Sequence, residues 1–308
     1  MSSQWRGRNK RGSRGAIRLI VWLALHAGRN VCRGLLVPVC AYFFVTAPLT
    51  RKASAGFLNR ALGRKATWRD TFTHLLVFST TLLDRVYLMH HRQRELAIQI
   101  SNEAVLEGAL AAGRGCLLLG SHLGSFELLG VVGSREKKLA VNVVMHIDDD
   151  GARLGKLITD AHSAPPYNVI PLGRPGSMLR AKECLERGEI VGILADRRYA
   201  NEKTHSLPFL GSPAKFSLGP MRLAKLTGAP VIAVFGIFRG GRAYEIIFES
   251  LAERVYDGGA IFDAMFQPTA PANTLSPECC LGAYVACLER QARSNPFNWF
   301  NFYDFWSA

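Results

Sequence analysis

The chain has 308 residues, a formal net charge of +14, a pI of about 9.8, 48% hydrophobic residues and 20% charged ones. The apolar share is too high and the charge too low for a disordered chain, and the length suffices for a sizeable core. Apolar runs near the roughly 20 residues needed to span a bilayer are almost absent, which argues against a polytopic membrane protein. The seven cysteines (32, 40, 116, 184, 279, 280 and 287) form no CxxC pair. An odd, scattered set points to reduced thiols in the cytosol rather than to a disulfide framework.

The charge is not spread evenly. Residues 1–69 carry 14 Lys and Arg with no Asp or Glu, and the first acid is Asp70. Residues 70–308 carry 24 charges of each sign. This predicts a basic leader (1–69) followed by a neutral domain (70–308). The leader holds Leu19–Leu25 and then Gly34–Thr50, an apolar stretch of 17 residues bounded by Arg33 and Arg51. That is short for a spanning helix, and Pro38 and Pro48 are expected to interrupt it. On a helical projection Arg11, Arg14, Arg18, Arg29 and Arg33 fall within a sector of roughly 100°. The expected element is an amphipathic or shallow helical hairpin, its basic side toward anionic lipid headgroups. A signal peptide fits less well, because no small-residue cleavage site follows cleanly. A nucleic-acid arm does not call for the apolar residues Leu35–Leu49 beside the arginines. A core helix with a solvated basic end remains open.

Beyond the leader, Thr67–Ile100 has helical spacing, with Leu75, Leu76, Phe78, Leu82, Leu83, Val86 and Tyr87 as its apolar positions. Ser101–Ala112 reads as a second, short helix. Short apolar runs then recur at 115–120, 139–145, 169–172, 190–194, 231–238 and 244–248. Helical patterns separate several of them: Ala152–His162, Ser177–Glu186 and Ser217–Leu226. Gly188 and Gly228 stand where C-terminal glycines belong. Strands alternating with helices predict an α/β fold with a mostly parallel central sheet flanked by helices. Arg239–Arg242 joins the last two runs as a hairpin turn. Ser276–Arg293 is a final helix. The aromatic tail Asn295–Trp306 either meets a membrane interface or caps the core.

Two histidines precede an acid by five positions: His90 with Glu95, and His122 with Glu127. The first pair lies in the polar run HHRQRE and reads as surface. The second follows the run GCLLLG directly, at what reads as the start of a helix. In an open α/β sheet, ligands bind at the carboxyl ends of strands. His122 is therefore the candidate general base, with Glu127 one helical turn on to orient the ring. Gly120 and Gly124 are expected to keep the backbone around the imidazole open to substrate. Asp196 and Arg197 end a second apolar run and read as a substrate clamp or as a solvated loop. Gly211 and Lys215 lie in a tight segment before a helix, where backbone amides and a lysine would meet an anion, the alternative being a plain loop. His146 with Asp148–Asp150 reads as a solvated loop, so no metal site is expected. The sequence has no GxSxG elbow, P-loop, GxGxxG signature or HExxH pair.

Three segments together resemble the lysophospholipid acyltransferase superfamily, and within it the bacterial lipid A biosynthesis acyltransferases of the lauroyl/myristoyl transferase type. GCLLLGSHLGSFELLG is similar to the family's strand, His-x4-Asp/Glu and helix. GILADRR resembles its later strand and Ala-Asp element. LPFLGSPAKFSLGPMRLAKLTGAPV matches its PFxGxxAxF block, the most specific of the three. The resemblance runs from about Val31 to Trp299. It implies a membrane-bound enzyme at the cytoplasmic face of a bacterial inner membrane. Such an enzyme takes an acyl group from an acyl carrier protein or CoA thioester to a lipid or glycolipid hydroxyl or amine. It also implies a His122–Glu127 dyad with no covalent intermediate, no metal and no cofactor beyond the thioester co-substrate. Partners would be anionic membrane lipids and the carrier protein, with no nucleic acid. The chain carries Arg197 where the lipid A enzymes usually carry Gln, which leaves the acceptor open. A non-catalytic lipid-binding protein of the same fold is the alternative.

Overall fold

The computed structural model describes residues 14–90, 92–111, 113, 115–130, 140–146, 167–198, 202–255 and 274–307. Helices α1 (Arg14–Ala27), α2 (Arg29–Thr46), α3 (Pro48–Leu62) and α4 (Trp68–Met89) come first. They are followed by β1 (Ala97–Ser101), α5 (Glu103–Ala111), β2 (Cys116–Gly120), β3 (Val141–His146) and β4 (Asn168–Leu172). Next are α6 (Ser177–Glu186), β5 (Ile190–Leu194), β6 (Thr204–Phe209), β7 (Ser212–Ser217) and α7 (Gly219–Thr227). The chain ends with β8 (Val231–Gly240), β9 (Ala243–Ala252), β10 (Arg254–Val255), β11 (Thr274–Leu275) and α8 (Pro277–Ser294).

Seven strands form one sheet in the order β1-β9-β8-β2-β5-β3-β4. Every neighbouring pair is parallel except the β8–β9 hairpin, whose turn glycines Gly240 and Gly241 both have positive φ. The two central strands are buried along their whole length or nearly so, which is why they read as continuous apolar runs rather than as alternating ones. Side chains alternate across the sheet. Leu117, Leu119, Val191 and Ile193 join a core with residues of α3, α6, α7 and α8. Leu118, Ile190, Ile232 and Val234 join a second core with residues of α1, α2, α4 and α5. The leader helices thus contribute to both cores.

The expected helix Thr67–Ile100 ends earlier, at Met89. Thr67 caps α4 in a reciprocal pair with Asp70. After a short 3-10 turn, Ala97–Ser101 pairs with β9 as an edge strand, with Ile98 and Ile100 on its better-covered face. Pairing with an available sheet edge outweighs helical spacing there. The helix expected over Ala152–His162 lies outside the described residues.

Pro38 does not interrupt α2, which runs through it. The buried stripe Cys32, Leu36 and Cys40 packs toward α4, and the Cys40 thiol reaches Ser79 Oγ at 3.2 Å. That packing offsets the one helix hydrogen bond that proline removes. The break falls instead at Ala47, before Pro48, where α2 and α3 meet at 97°. Among the described residues no single helix is long and apolar enough to cross a membrane, although this bent pair passes that test jointly.

The expected basic face also changes. Arg29 is buried and makes a two-pronged pair with Asp84 of α4, both distances 2.6 Å. Tyr244 donates to the same carboxylate at 2.7 Å. Arg33 donates to the Gly241 carbonyl at 2.9 Å. These two arginines therefore tie α2 to α4 and to the β8–β9 turn instead of facing lipid.

Candidate active site

The site is built where β2 and β5 end side by side. Gly120 is in register with Leu194, and Ala195 N–H donates to the Gly120 carbonyl at 3.0 Å. Two residues past the end of each strand, His122 and Asp196 therefore leave the sheet as neighbours. His122 Nδ1 lies 2.9 Å from Asp196 Oδ1, and His122 N–H donates to Asp196 Oδ2 at 3.0 Å. Asp196 is fully buried, while the His122 side chain keeps 24% of its surface exposed.

The ring partner of His122 is thus Asp196, not Glu127. Glu127 sits on a 3-10 turn (Phe126–Leu128), where an extended loop replaces the helix start expected from the sequence. Its carboxylate pairs with Arg85 of α4 at 3.0 Å and accepts from Ser125 Oγ at 3.0 Å. Glu127 fixes the loop and lends His122 a nearby negative charge. The signal for Asp196 was its position at a strand's carboxyl end. Sequence alone does not reveal that β5 lies beside β2.

Two more groups converge on Asp196. Oδ2 also accepts from Trp299 Nε1 at 3.1 Å and from Asn301 Nδ2 at 2.9 Å. Burial pushes the Asp196 carboxyl up, but His122, Arg197 and Asn301 outweigh it, so the group is held below the usual carboxylate range. A charged Asp196 fixes the proton of His122 on Nδ1 and leaves the Nε2 lone pair as the base. Among the described residues Nε2 has no hydrogen-bond partner. Burial, helped by the Arg197 charge, lowers the His122 pKa against the opposing pull of Asp196 and Glu127.

Arg197 serves the tail. Its Nε donates to Asn301 Oδ1 at 2.6 Å and its Nη2 to the Phe300 carbonyl at 3.1 Å. The tail caps the core: Trp299 is 0% exposed, and Phe300 and Phe305 are buried. Gly211 and Lys215 do not form the expected anion loop. Gly211 is in the β6–β7 hairpin turn, a whole strand away from α7, and the Leu210 N–H beside it donates to Glu289 at 2.8 Å. Lys215 is an exposed residue of β7. Among the described residues no hydrogen bond or ion pair links either to His122, Asp196 or Arg197. The loop Asp148–Asp150 lies outside the described residues.

Gly120 and Gly124 are small for packing rather than for substrate access. A Cβ on Gly120 would stand 2.4 Å from the Phe126 ring, and one on Gly124 only 1.9 Å from the Gly236 carbonyl. Ser125 N–H donates to that carbonyl at 2.8 Å, so the loop that carries His122 is sewn directly onto β8.

The sequence profile of the bacterial lipid A biosynthesis acyltransferases matches residues 71–270. The chain belongs to that family. It is also 26% identical over 229 residues to a phosphatidylinositol mannoside acyltransferase of Mycobacterium tuberculosis (strain CDC 1551 / Oshkosh). The same-named protein of strain ATCC 25618 / H37Rv is 25% identical over 228 residues. Each alignment covers 71% of this chain and 64% of the relative, so the chain spans less than two thirds of the length of these relatives. The family match contains His122, Glu127, Asp196 and Arg197, whereas Trp299 and Asn301 lie beyond it.

Proposed function

We propose that the protein is an acyltransferase that moves a fatty acyl group from an acyl carrier protein or CoA thioester to a lipid or glycolipid hydroxyl or amine. Family membership and the names of the relatives support the reaction class. One observation carries the mechanism: His122 has one ring nitrogen held by a buried carboxylate and the other, among the described residues, unengaged.

In the first step, Nε2 takes the proton from the acceptor hydroxyl or amine as that group attacks the thioester carbonyl. Asp196 stabilises the imidazolium that forms. The tetrahedral intermediate then collapses and the carbon–sulfur bond breaks. The leaving thiolate takes the proton back from Nε2, so His122 ends neutral and no acyl-enzyme forms. The scheme needs no resident cofactor; the thioester is a co-substrate. Asp196, Arg197 and Glu127 act on His122 or its loop, and Gly211 and Lys215 have no step in it.

The acceptor's chemistry favours work at a membrane, which we take to be the inner membrane at its cytoplasmic face, and α2 offers a surface for membrane contact. Its outer side exposes Val31, Leu35, Val37, Val39, Tyr42, Phe43 and Val45, continued by Leu49 of α3 and Trp22 of α1. Such a contiguous apolar face marks an interaction surface. The excess arginines and lysines of the leader favour anionic lipid, at about 1 kcal/mol for each one near the surface.

The test is acyl transfer in anionic vesicles, with radiolabelled acyl carrier protein or acyl-CoA and a total lipid extract. Wild type should yield a labelled lipid. His122→Ala should lose about 10²–10⁴-fold in rate with the fold intact. Equal turnover by the two proteins rejects the base. No labelled lipid from wild type with any donor favours a lipid-binding role.

A further inference from the structure

We propose that Trp299 and Asn301 of the C-terminal tail are positioning residues that hold Asp196 charged and aimed at His122. The inference rests on the reading of His122 as the base.

The geometry points to this in three independent ways. First, the tail lies against the catalytic loop as a short antiparallel bridge between Leu123 and Trp299. Phe300 N–H donates to the His122 carbonyl at 2.8 Å, and Gly124 N–H donates to the Asn298 carbonyl at 2.7 Å. The backbone of the base is therefore clamped on both sides by tail residues. Second, of the three hydrogen bonds that Asp196 Oδ2 accepts, two come from tail side chains. Third, the Asn301 amide is fixed at both ends. Its nitrogen donates to Asp196, and its oxygen accepts from Arg197. Flipping the amide would set oxygen against carboxylate and nitrogen against guanidinium, so one orientation holds.

The tail is in turn held from behind. The Trp299 carbonyl is met by His74 Nε2 at 3.0 Å, and the other nitrogen of His74 meets Ser54 Oγ at 2.8 Å. Asn298 makes two hydrogen bonds to the backbone of Phe238. Burying these polar groups only makes sense when each has a partner. A tail needed for packing alone would be served by apolar residues at 299 and 301. Among the described residues the charged groups acting on His122 are Asp196 and Arg197 after β5 and Glu127 on the 3-10 turn, and none of them belongs to the tail. The tail acts through Asp196.

The decisive comparison is between two tail indoles. Trp299→Phe removes one donor from Asp196 but keeps the ring in the aromatic cluster. Trp306→Phe removes an indole N–H that donates to the Phe209 carbonyl at 3.1 Å, in the same cluster with no bond to Asp196. With fewer donors on Oδ2, more of the carboxylate's charge acts on the imidazolium. Trp299→Phe should therefore move the acid limb of kcat/KM to higher pH and, because Asp196 also loses a donor that fixes its aim at the ring, lower kcat about ten-fold with the donor KM unchanged. Asn301→Asp sets a second carboxylate against Oδ2 while keeping an acceptor for Arg197, and should cost about 100-fold. Trp306→Phe should leave kcat and the acid limb where they are. The His122 imidazole should titrate higher by NMR in Trp299→Phe than in wild type, a readout that needs no turnover. An unmoved NMR titration with an unmoved acid limb overturns the proposal, as does a Trp306→Phe variant that reproduces the loss. If wild type transfers no acyl group, the function fails, and the NMR titration still decides the positioning.

Discussion

Helix α2 exposes Val31, Leu35, Tyr42, Phe43 and Val45, whereas the tail after α8 buries Trp299, Phe300 and Phe305. Both segments are rich in apolar and aromatic residues, and both read from sequence as membrane contact or as core. The difference lies in their polar groups. The tail interleaves its rings with Asn295, Asn298, Asn301 and the indole of Trp299; each of these finds a hydrogen-bond partner, and those of Asn298, Asn301 and the indole are buried. The outer side of α2 offers almost nothing that needs an internal partner. Hydropathy measures how much a segment avoids water. The spacing of hydrogen-bonding groups decides whether it can enter a core.

The comparison can be broken at the inner face of α2. Asp84→Ala leaves the Arg29 guanidinium buried without its counter-charge, and among the described residues Arg29 Nη1 already lacks a partner. The expected loss is about 3–5 kcal/mol in urea unfolding. A loss below about 1 kcal/mol would mean that α2 is not anchored there.

His74 sharpens the same contrast behind the tail. Burial pushes its pKa down to about 4. A folded-state value below the unfolded one means that the neutral form favours the fold. The stabilisation is complete above about pH 6.5 and is lost as pH falls toward 4. Wild type should lose on the order of 3 kcal/mol more than His74→Gln over that window. Parallel pH profiles of unfolding would contradict it.

The outer face gives the smallest effect. Val45→Asp with Leu49→Asp should lower binding to anionic vesicles at least about ten-fold, since each buried aliphatic side chain contributes roughly 1.5–3 kcal/mol. Stability should change by less than about 0.5 kcal/mol, because both side chains are exposed. Unchanged sedimentation with vesicles would remove this face from the membrane.

The sheet was legible because fully buried parallel strands must be apolar throughout, and α6 and α8 follow from helical period and capping residues. His122 and Asp196 were both visible as polar residues at strand ends. Their partnership was not, because it depends on β5 lying beside β2 while 74 positions away in sequence. Glu127 attracted the role by its spacing from His122, which assumes a helix already running from His122, whereas the chain is still extended at Ser125 and turns only from Phe126. Gly211 misled in the same way: a glycine before a helix suggests an anion loop, but a strand intervenes. Local pattern shows which residues have chemistry to offer; strand order decides which of them meet.

The most direct test compares Asp196→Asn with Glu127→Gln in the acyl-transfer assay, each checked for folding. Asp196→Asn removes the charge that fixes the His122 tautomer and stabilises the imidazolium, and should cost about 10²–10⁴-fold in kcat. Glu127→Gln keeps an acceptor for Ser125 and Arg85, and should cost no more than about ten-fold. The reverse order, with Glu127→Gln the more damaging and Asp196→Asn nearly active, would contradict the account.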